Sequence, residues 1–182
     1  MPPRCACQIL EICLFLLDTS YAARFYDTVF FQFEESLPKE QEHFLRQMGH
    51  ASENPVCHMI TNIANLTNQN LYRLPVRWVK RIMRQGNICS LGVGMASGPA
   101  EWRTATMLAL ERLSSQGASI KDASGVLSCI HGSSLVTPDD ICYAEREILD
   151  LIPAGISSIS AIIIDENLRY NTVVTIMSLH HY

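Results

Sequence analysis

The pattern of apolar and polar positions in the second half of the chain predicts strands that alternate with helices. Apolar, β-branched runs predict strands over residues 88–96, 125–130, 160–164 and 172–179. Between the first three strands, residues 100–115 carry apolar side chains at helical spacing. Thr137 as an N-cap, Pro138 at the helix start and the acids after it predict a second helix that ends near Leu151. The predicted order is therefore β-α-β-α-β-β.

This order predicts the fold class. Strands separated by helices form parallel pairs through right-handed crossovers, and the short connection from Asp165 to Asn171 predicts that the last two strands form an antiparallel pair. We therefore expect an α/β protein, a two-layer sandwich with a mixed four-stranded sheet and a helical N-terminal extension.

The pattern in the first half of the chain predicts mostly helices. Helices are predicted over 6–17, 38–49 and 55–66, a short strand over Thr28–Phe33, and a further helix from Pro75 to Arg84. We divide the chain into three parts on this basis. Residues 1–54 form an N-terminal helical and strand segment, 55–85 a helix end, loop and short helix, and 86–182 the α/β domain.

Composition narrows the functional classes. Of the 182 residues, 48% are hydrophobic and 18% charged, which is typical of a globular protein. The net charge of −4 argues against general nucleic-acid binding, and no apolar run is long enough to span a membrane. Gln8 and Glu11 interrupt the apolar segment 5–17, so we expect a buried helix there rather than a secretory signal, and a cytoplasmic protein.

The seven cysteines predict neither a disulfide framework nor a metal centre. Their number is odd, they form no C-x-x-C pair, and reduced, buried thiols are the favoured interpretation. Possible ligand pairs lack the spacing of a zinc site; they are Cys5 with Cys7, Cys129 with His131, and His180 with His181. Cys129 and His131 would face the same side of a strand, so a Cys/His enzyme remains an alternative. We predict no metal and no cofactor.

Several segments, taken in order, resemble the FtsZ/tubulin family, and FtsZ in particular, the bacterial tubulin homologue. The similar segments are Tyr26–Val29, Ile63–Thr67, Gly86–Asn87, Gly92–Gly98 with Arg103, Gly125–Ile130, Ile164–Glu166 and Val174–Ile176. The resemblance is strongest over residues 60–180. It implies the C-terminal α/β domain of that family, preceded by the end of its central helix and, near residue 28, the last strand of its GTPase domain.

The residues that would carry the family's GTPase chemistry differ here. The family binds GTP through a glycine-rich loop, and no such loop occurs in this sequence; the strands bearing it would lie before Met1. Gly92 and Gly94 lie within a predicted strand, which does not suit a phosphate loop. The family's catalytic-loop positions correspond to Arg73, Pro75 and Trp78, and no acidic residue occurs between Glu53 and Glu101. We therefore expect neither nucleotide binding nor catalysis.

A basic cluster occupies the region where the family has acidic residues. Its cations and one aromatic residue are the candidate partner-binding residues: Arg73, Arg77, Trp78, Lys80, Arg81 and Arg84. Four of the cations share one helix face through i, i+3, i+4, i+7 spacing. The cluster is either a solvated helix face or a surface that attracts an acidic partner. Trp78 suits either an interface anchor or the core.

Three functional classes remain open. The favoured one is a non-catalytic FtsZ-like protein that binds FtsZ or another FtsZ-like subunit in cell division or filament assembly. The resemblance also implies a possible homo-oligomer, because apolar segments such as Ile9–Leu17 and Val29–Phe33 would lack part of their cover. The alternatives are a split GTPase half that needs a separate GTP-binding chain, and an unrelated small Cys/His enzyme.

Overall fold

The computed structural model describes residues 29–30, 75–98, 101–133, 137–165, 168 and 171–181. Three helices lie in these segments: α1 Val76–Met83, α2 Trp102–Ser115 and α3 Pro138–Leu151. The strands are β1 Val29–Phe30, β2 Ile88–Ser97, β3 Gly125–Gly132, β4 Ser157–Ile164 and β5 Asn171–His180. The order β-α-β-α-β-β predicted for residues 86–182 is confirmed. The predicted helices 6–17, 38–49 and 55–66 lie outside the described residues.

The strands form one mixed sheet in the order β1-β2-β5-β3-β4. β3 and β4 are parallel, whereas β5 runs antiparallel to both β2 and β3. The four strands predicted for residues 86–182 build most of the sheet. β1 lies within the short strand predicted over Thr28–Phe33 and adds two residues parallel to β2 at one edge.

The predicted pairing of the last two strands is wrong. β5 does not lie beside β4 but between β2 and β3. The residues from Thr172 to Leu179 are all buried, whereas most residues of β4 are only half-buried. A strand that is apolar on both faces gains most from the centre of a sheet, where both its faces and both its edges are covered.

The helices cover the two faces of the sheet. α2 and α3 pack on one face, where Val126 and Ile130 of β3 point toward buried α2 and α3 residues. α1 packs on the other face, against Leu127 and Cys129. This alternation follows from the two-residue period of a strand.

Two glycines of β2 allow α2 to lie close to the sheet. A Cβ at Gly94 would lie 2.6 Å from the Ala109 nitrogen and still closer to the Ala105 oxygen. A Cβ at Gly92 would lie 2.8 Å from Cγ of Leu113. These glycines therefore serve helix–sheet packing.

Polar and aromatic contacts tie α2 to α3. Arg103 of α2 forms an ion pair with Glu147 of α3, with an Nη2–Oε1 distance of 2.7 Å. Beside it, the rings of Trp102 and Tyr143 stack with centroids 6.3 Å apart, and the Arg103 guanidinium lies over Trp102. The two helices therefore form a connected outer layer on their face of the sheet.

Candidate interaction surface on helix α1

The sequence of α1 determines where the helix begins and which of its sides packs against the sheet. Pro75 precedes the helix with an extended ψ of 128°, and the Arg84 amide donates back to the Lys80 carbonyl at its end. Val79, Ile82 and Met83 are buried against the sheet. Their i, i+3, i+4 spacing makes one apolar stripe, so the opposite side of the helix faces solvent.

The predicted basic face lies on that solvent side. Arg77, Arg81 and Arg84 are exposed and Lys80 is half-buried, while Arg73 lies outside the described residues. Within the described part of the chain, no ion pair joins Arg77, Lys80 or Arg81 to an acidic side chain. We call the side chains of Arg77, Trp78, Lys80, Arg81 and Arg84 the α1 basic surface. Several cations without interspersed acids produce a positive potential that attracts an acidic partner.

Trp78 belongs to this surface and not to the core. Its side chain is 49% exposed, which excludes the core role left open by the sequence. Together with Arg81, Ile82 and residues 157–159 at the start of β4, it lines a cavity of about 210 Å³. A half-exposed indole beside guanidinium groups is the residue combination found at the centres of protein interfaces.

Two residues that the sequence resemblance aligns with the family's catalytic loop, Pro75 and Trp78, carry no proton acceptor. Pro75 is exposed at the start of α1, and Trp78 follows it on the basic side. An indole and a pyrrolidine ring cannot activate water as a carboxylate does. This side of α1 can therefore attract negative charge, but its own residues offer no general base.

The alternative Cys129/His131 site is not supported by the structure. Cys129 and His131 are both buried on β3. Burial raises the pKa of the Cys129 thiol to about 12, so the thiol stays protonated at neutral pH. A cysteine nucleophile needs the opposite shift together with access for a substrate.

The described residues also contain no metal centre of the usual kind. None of their histidines, cysteines and acids form a group of three that could hold a metal ion. Nε2 of His180 is 2.9 Å from Oγ of Ser178, while His181 is exposed. Cys5 and Cys7 lie outside the described residues. No helix in the described ranges is long and apolar enough to cross a membrane.

A second cavity was not found by sequence reasoning. It measures about 280 Å³ and is lined by Ile88, Ser90, residues 116–119, Asp122 and His180. These residues come from three separate parts of the chain, namely β2, the connection from α2 to β3 and the end of β5, so no local spacing could have revealed the cavity. The Ser119 hydroxyl accepts a hydrogen bond from the Lys121 amide, and the Gln116 side chain donates one to the Leu91 carbonyl. These two side chains are therefore already hydrogen-bonded within the protein.

The fold is similar to that of solved FtsZ and CetZ structures. A point mutant of FtsZ from M. jannaschii superposes with a TM-score of 0.66 at 17% identity, over 88% of this chain and 48% of that chain. CetZ from Methanosaeta thermophila gives 0.54 at 16% identity, over 93% and 51%. The GTPγS-bound protofilament structure of CetZ2 from Haloferax volcanii gives 0.51 at 15%, over 89% and 48%.

These comparisons confirm the predicted resemblance at the level of fold. The chain spans about half the length of the FtsZ and CetZ chains that it matches. No protein-family model and no curated protein matches the sequence. The resemblance to FtsZ predicts a bacterial protein, and this stays a prediction because the CetZ structures come from archaea.

Proposed function

We propose that this chain is a non-catalytic FtsZ-like protein that binds an FtsZ-type subunit and limits filament assembly. The observation that carries the proposal is the α1 basic surface, exposed on an FtsZ-like fold. The resemblance implies that this side of the domain meets the nucleotide of the next subunit, whose phosphates are negatively charged. Cations here attract those phosphates, while the groups that would activate water are absent.

Such a chain would occupy a filament end without promoting GTP turnover. Each exposed ion pair contributes only about 0–1 kcal/mol, so the cations must act together. Their effect must also weaken as salt is raised, because exposed charges are screened over roughly 10 Å at 0.1 M ionic strength.

Co-sedimentation with GTP-assembled FtsZ tests the binding. We expect the chain to pellet with the polymer at low salt and to be released as the salt concentration rises. If the chain stays in the supernatant at every salt concentration, FtsZ binding is excluded.

The second candidate function is the split GTPase half that the sequence analysis left open. In that case, GTP turnover should appear when a separate GTP-binding chain is added. On the proposal favoured here, added chain leaves turnover unchanged or lowers it.

A further inference from the structure

β4 is the last strand of the sheet, and its outer edge is unpaired among the residues that the structure describes. Its eight residues pair with β3 in one unbroken parallel register, from Gly125 opposite Ser157 to Gly132 opposite Ile164. The register contains no bulge. The backbone groups on the other side of β4 therefore form a regular row that can accept another strand.

The composition of β4 gives that edge no protection. Residues 157–164 consist of serines, an alanine and isoleucines, without a charge or a proline. Sheet edges are normally protected by charged side chains, proline, bulges or short length. The opposite edge of this sheet fits the last case, because β1 is only two residues long. A long, regular and uncharged edge is a strand-pairing surface.

Charges at the two ends of β4 specify the orientation of an added strand. Arg81 and Trp78 lie beside residues 157–159 at the start of the strand. Asp165 follows its last residue, Ile164, whose side chain is 37% exposed. A parallel copy of β4 would place two Arg81 side chains at the same end. An antiparallel copy places the Arg81 end of each chain beside the Asp165 end of the other.

We propose that two copies of this chain pair through their β4 strands, antiparallel and about a two-fold axis. In an antiparallel pair, two residues directly opposite each other point to the same face of the sheet. Each face of one sheet therefore continues into the same face of the other only if a residue at the two-fold axis lies opposite its own copy. Ser160 and Ala161 are the two residues at the middle of β4. The two sheets then form one continuous sheet with a helix layer on each face. This inference does not depend on FtsZ binding and goes beyond the proposed function.

Sedimentation equilibrium of the whole chain tests the dimer. Ser158→Lys places a positive charge on the half-buried, uncharged strand β4. Because the two copies are related by a two-fold axis, the junction then contains two such charges. We expect a dimeric parent and a dimer weakened at least about tenfold in this variant, because lysine on an edge opposes pairing. The matched control is Ser115→Lys, an exposed position at the end of α2, which should leave the dimer unchanged.

Circular dichroism and urea midpoints show whether each variant is folded. A parent that is monomeric up to about 100 µM overturns the proposal, since a specific complex of this size class binds more tightly. Dimerisation of folded Ser158→Lys as strong as that of the parent overturns it equally.

Engineered cysteines test the register even if a lysine variant fails to fold. On the axis, Ser160→Cys or Ala161→Cys faces its own copy at about 4.5–5.5 Å between Cα atoms, within disulfide range. Ser157→Cys faces a different residue and should not cross-link above the parent's background. Cross-linking of all three variants would indicate parallel strands, and cross-linking of none would exclude the junction; either result overturns the proposal.

The outcomes of the two proposals can be separated. If the β4 junction is real, folded Ser158→Lys is monomeric. Because Ser158 lines the cavity beside Trp78 and Arg81, FtsZ binding is scored with Arg77→Glu instead, which lies outside that cavity and should lose FtsZ binding while still dimerising through β4. If FtsZ binding is absent, the parent chain still dimerises through β4.

Discussion

Gly94 is the residue where the packing of α2 against the sheet is closest. An added methyl group would meet the backbone of α2 at Ala105 and Ala109, which cannot move without shifting the helix. We expect Gly94→Ala to lower the free energy of unfolding by about 1–3 kcal/mol, as overpacking of a core does. Urea denaturation measures the change.

Gly117 provides the control for that substitution. It has a positive φ of 74°, and nothing lies within 4 Å of the position its Cβ would take. Gly117→Ala should therefore cost only the backbone strain, about 1 kcal/mol. A Gly94→Ala effect no larger than this would mean that α2 does not press on β2.

The buried thiol of Cys129 makes stability depend on alkaline pH. Its pKa is about 12 in the folded chain and 9.0 when unperturbed, so the unfolded chain loses this proton first. The contribution to stability is complete below pH 9 and is lost as the pH rises through 12. Between pH 8 and pH 10 the loss amounts to about 1.4 kcal/mol, the equivalent of one pKa unit.

Urea unfolding of the parent and of Cys129→Ala at pH 8 and pH 10 isolates this effect. The substitution lowers stability at both values, but the fall between pH 8 and pH 10 should be smaller in the variant. An equal fall in both proteins would show that the thiol is solvated.

At the scale of elements, α1 has one side that stabilises the fold and one side that does not. Ile82 is buried in the cluster beneath α1, whereas Arg77 is exposed. Ile82→Ala should destabilise the chain by about 2–5 kcal/mol. Arg77→Ala should change stability by no more than about 0.5 kcal/mol. Thermal and urea unfolding would contradict this account if both substitutions were equally harmful.

Most elements of the α/β domain were predictable because their signals are local. The i, i+3, i+4 pattern of α1 and the helix-start signal at Pro138 depend on neighbouring residues. β4 begins at Ser157, three residues before the predicted start, because pairing with residues 125–127 of β3 extends the strand through Ser157, Ser158 and Ile159. A pairing of this kind is non-local and leaves no periodic signal.

The order of the strands and the character of Trp78 also depended on tertiary structure. The short connection before β5 favoured a hairpin, but burial of both faces places that strand between β2 and β3. The basic spacing of α1 was visible in the sequence, whereas Trp78 fitted core and surface equally well. Only the position of the helix on the sheet shows its exposure.

At the scale of the whole molecule, we expect no affinity for GTP. The sequence contains no glycine-rich phosphate loop, and its closest glycine pair, Gly92 and Gly94, is occupied in packing α2. Titration calorimetry with GTP and Mg²⁺ should give no binding heat. Micromolar binding would contradict the proposal that the chain neither binds nor hydrolyses GTP.

The role of the α1 basic surface in filament assembly is tested by reversing its charges. Arg77→Glu with Arg81→Glu removes the attraction to phosphates. Lys121→Glu with Arg146→Glu makes the same change in net charge at exposed positions outside that surface. Both double variants should remain folded, because exposed substitutions change stability by only about 0.5 kcal/mol each.

The most direct measurement is the polymer mass of FtsZ, assembled with GTP at low salt and scored by light scattering in the presence of each variant. The parent chain and the Lys121/Arg146 variant should lower the polymer mass equally, and the Arg77/Arg81 variant should leave it close to that of FtsZ alone. The account is contradicted if all three proteins act alike, or if the parent chain does not affect assembly.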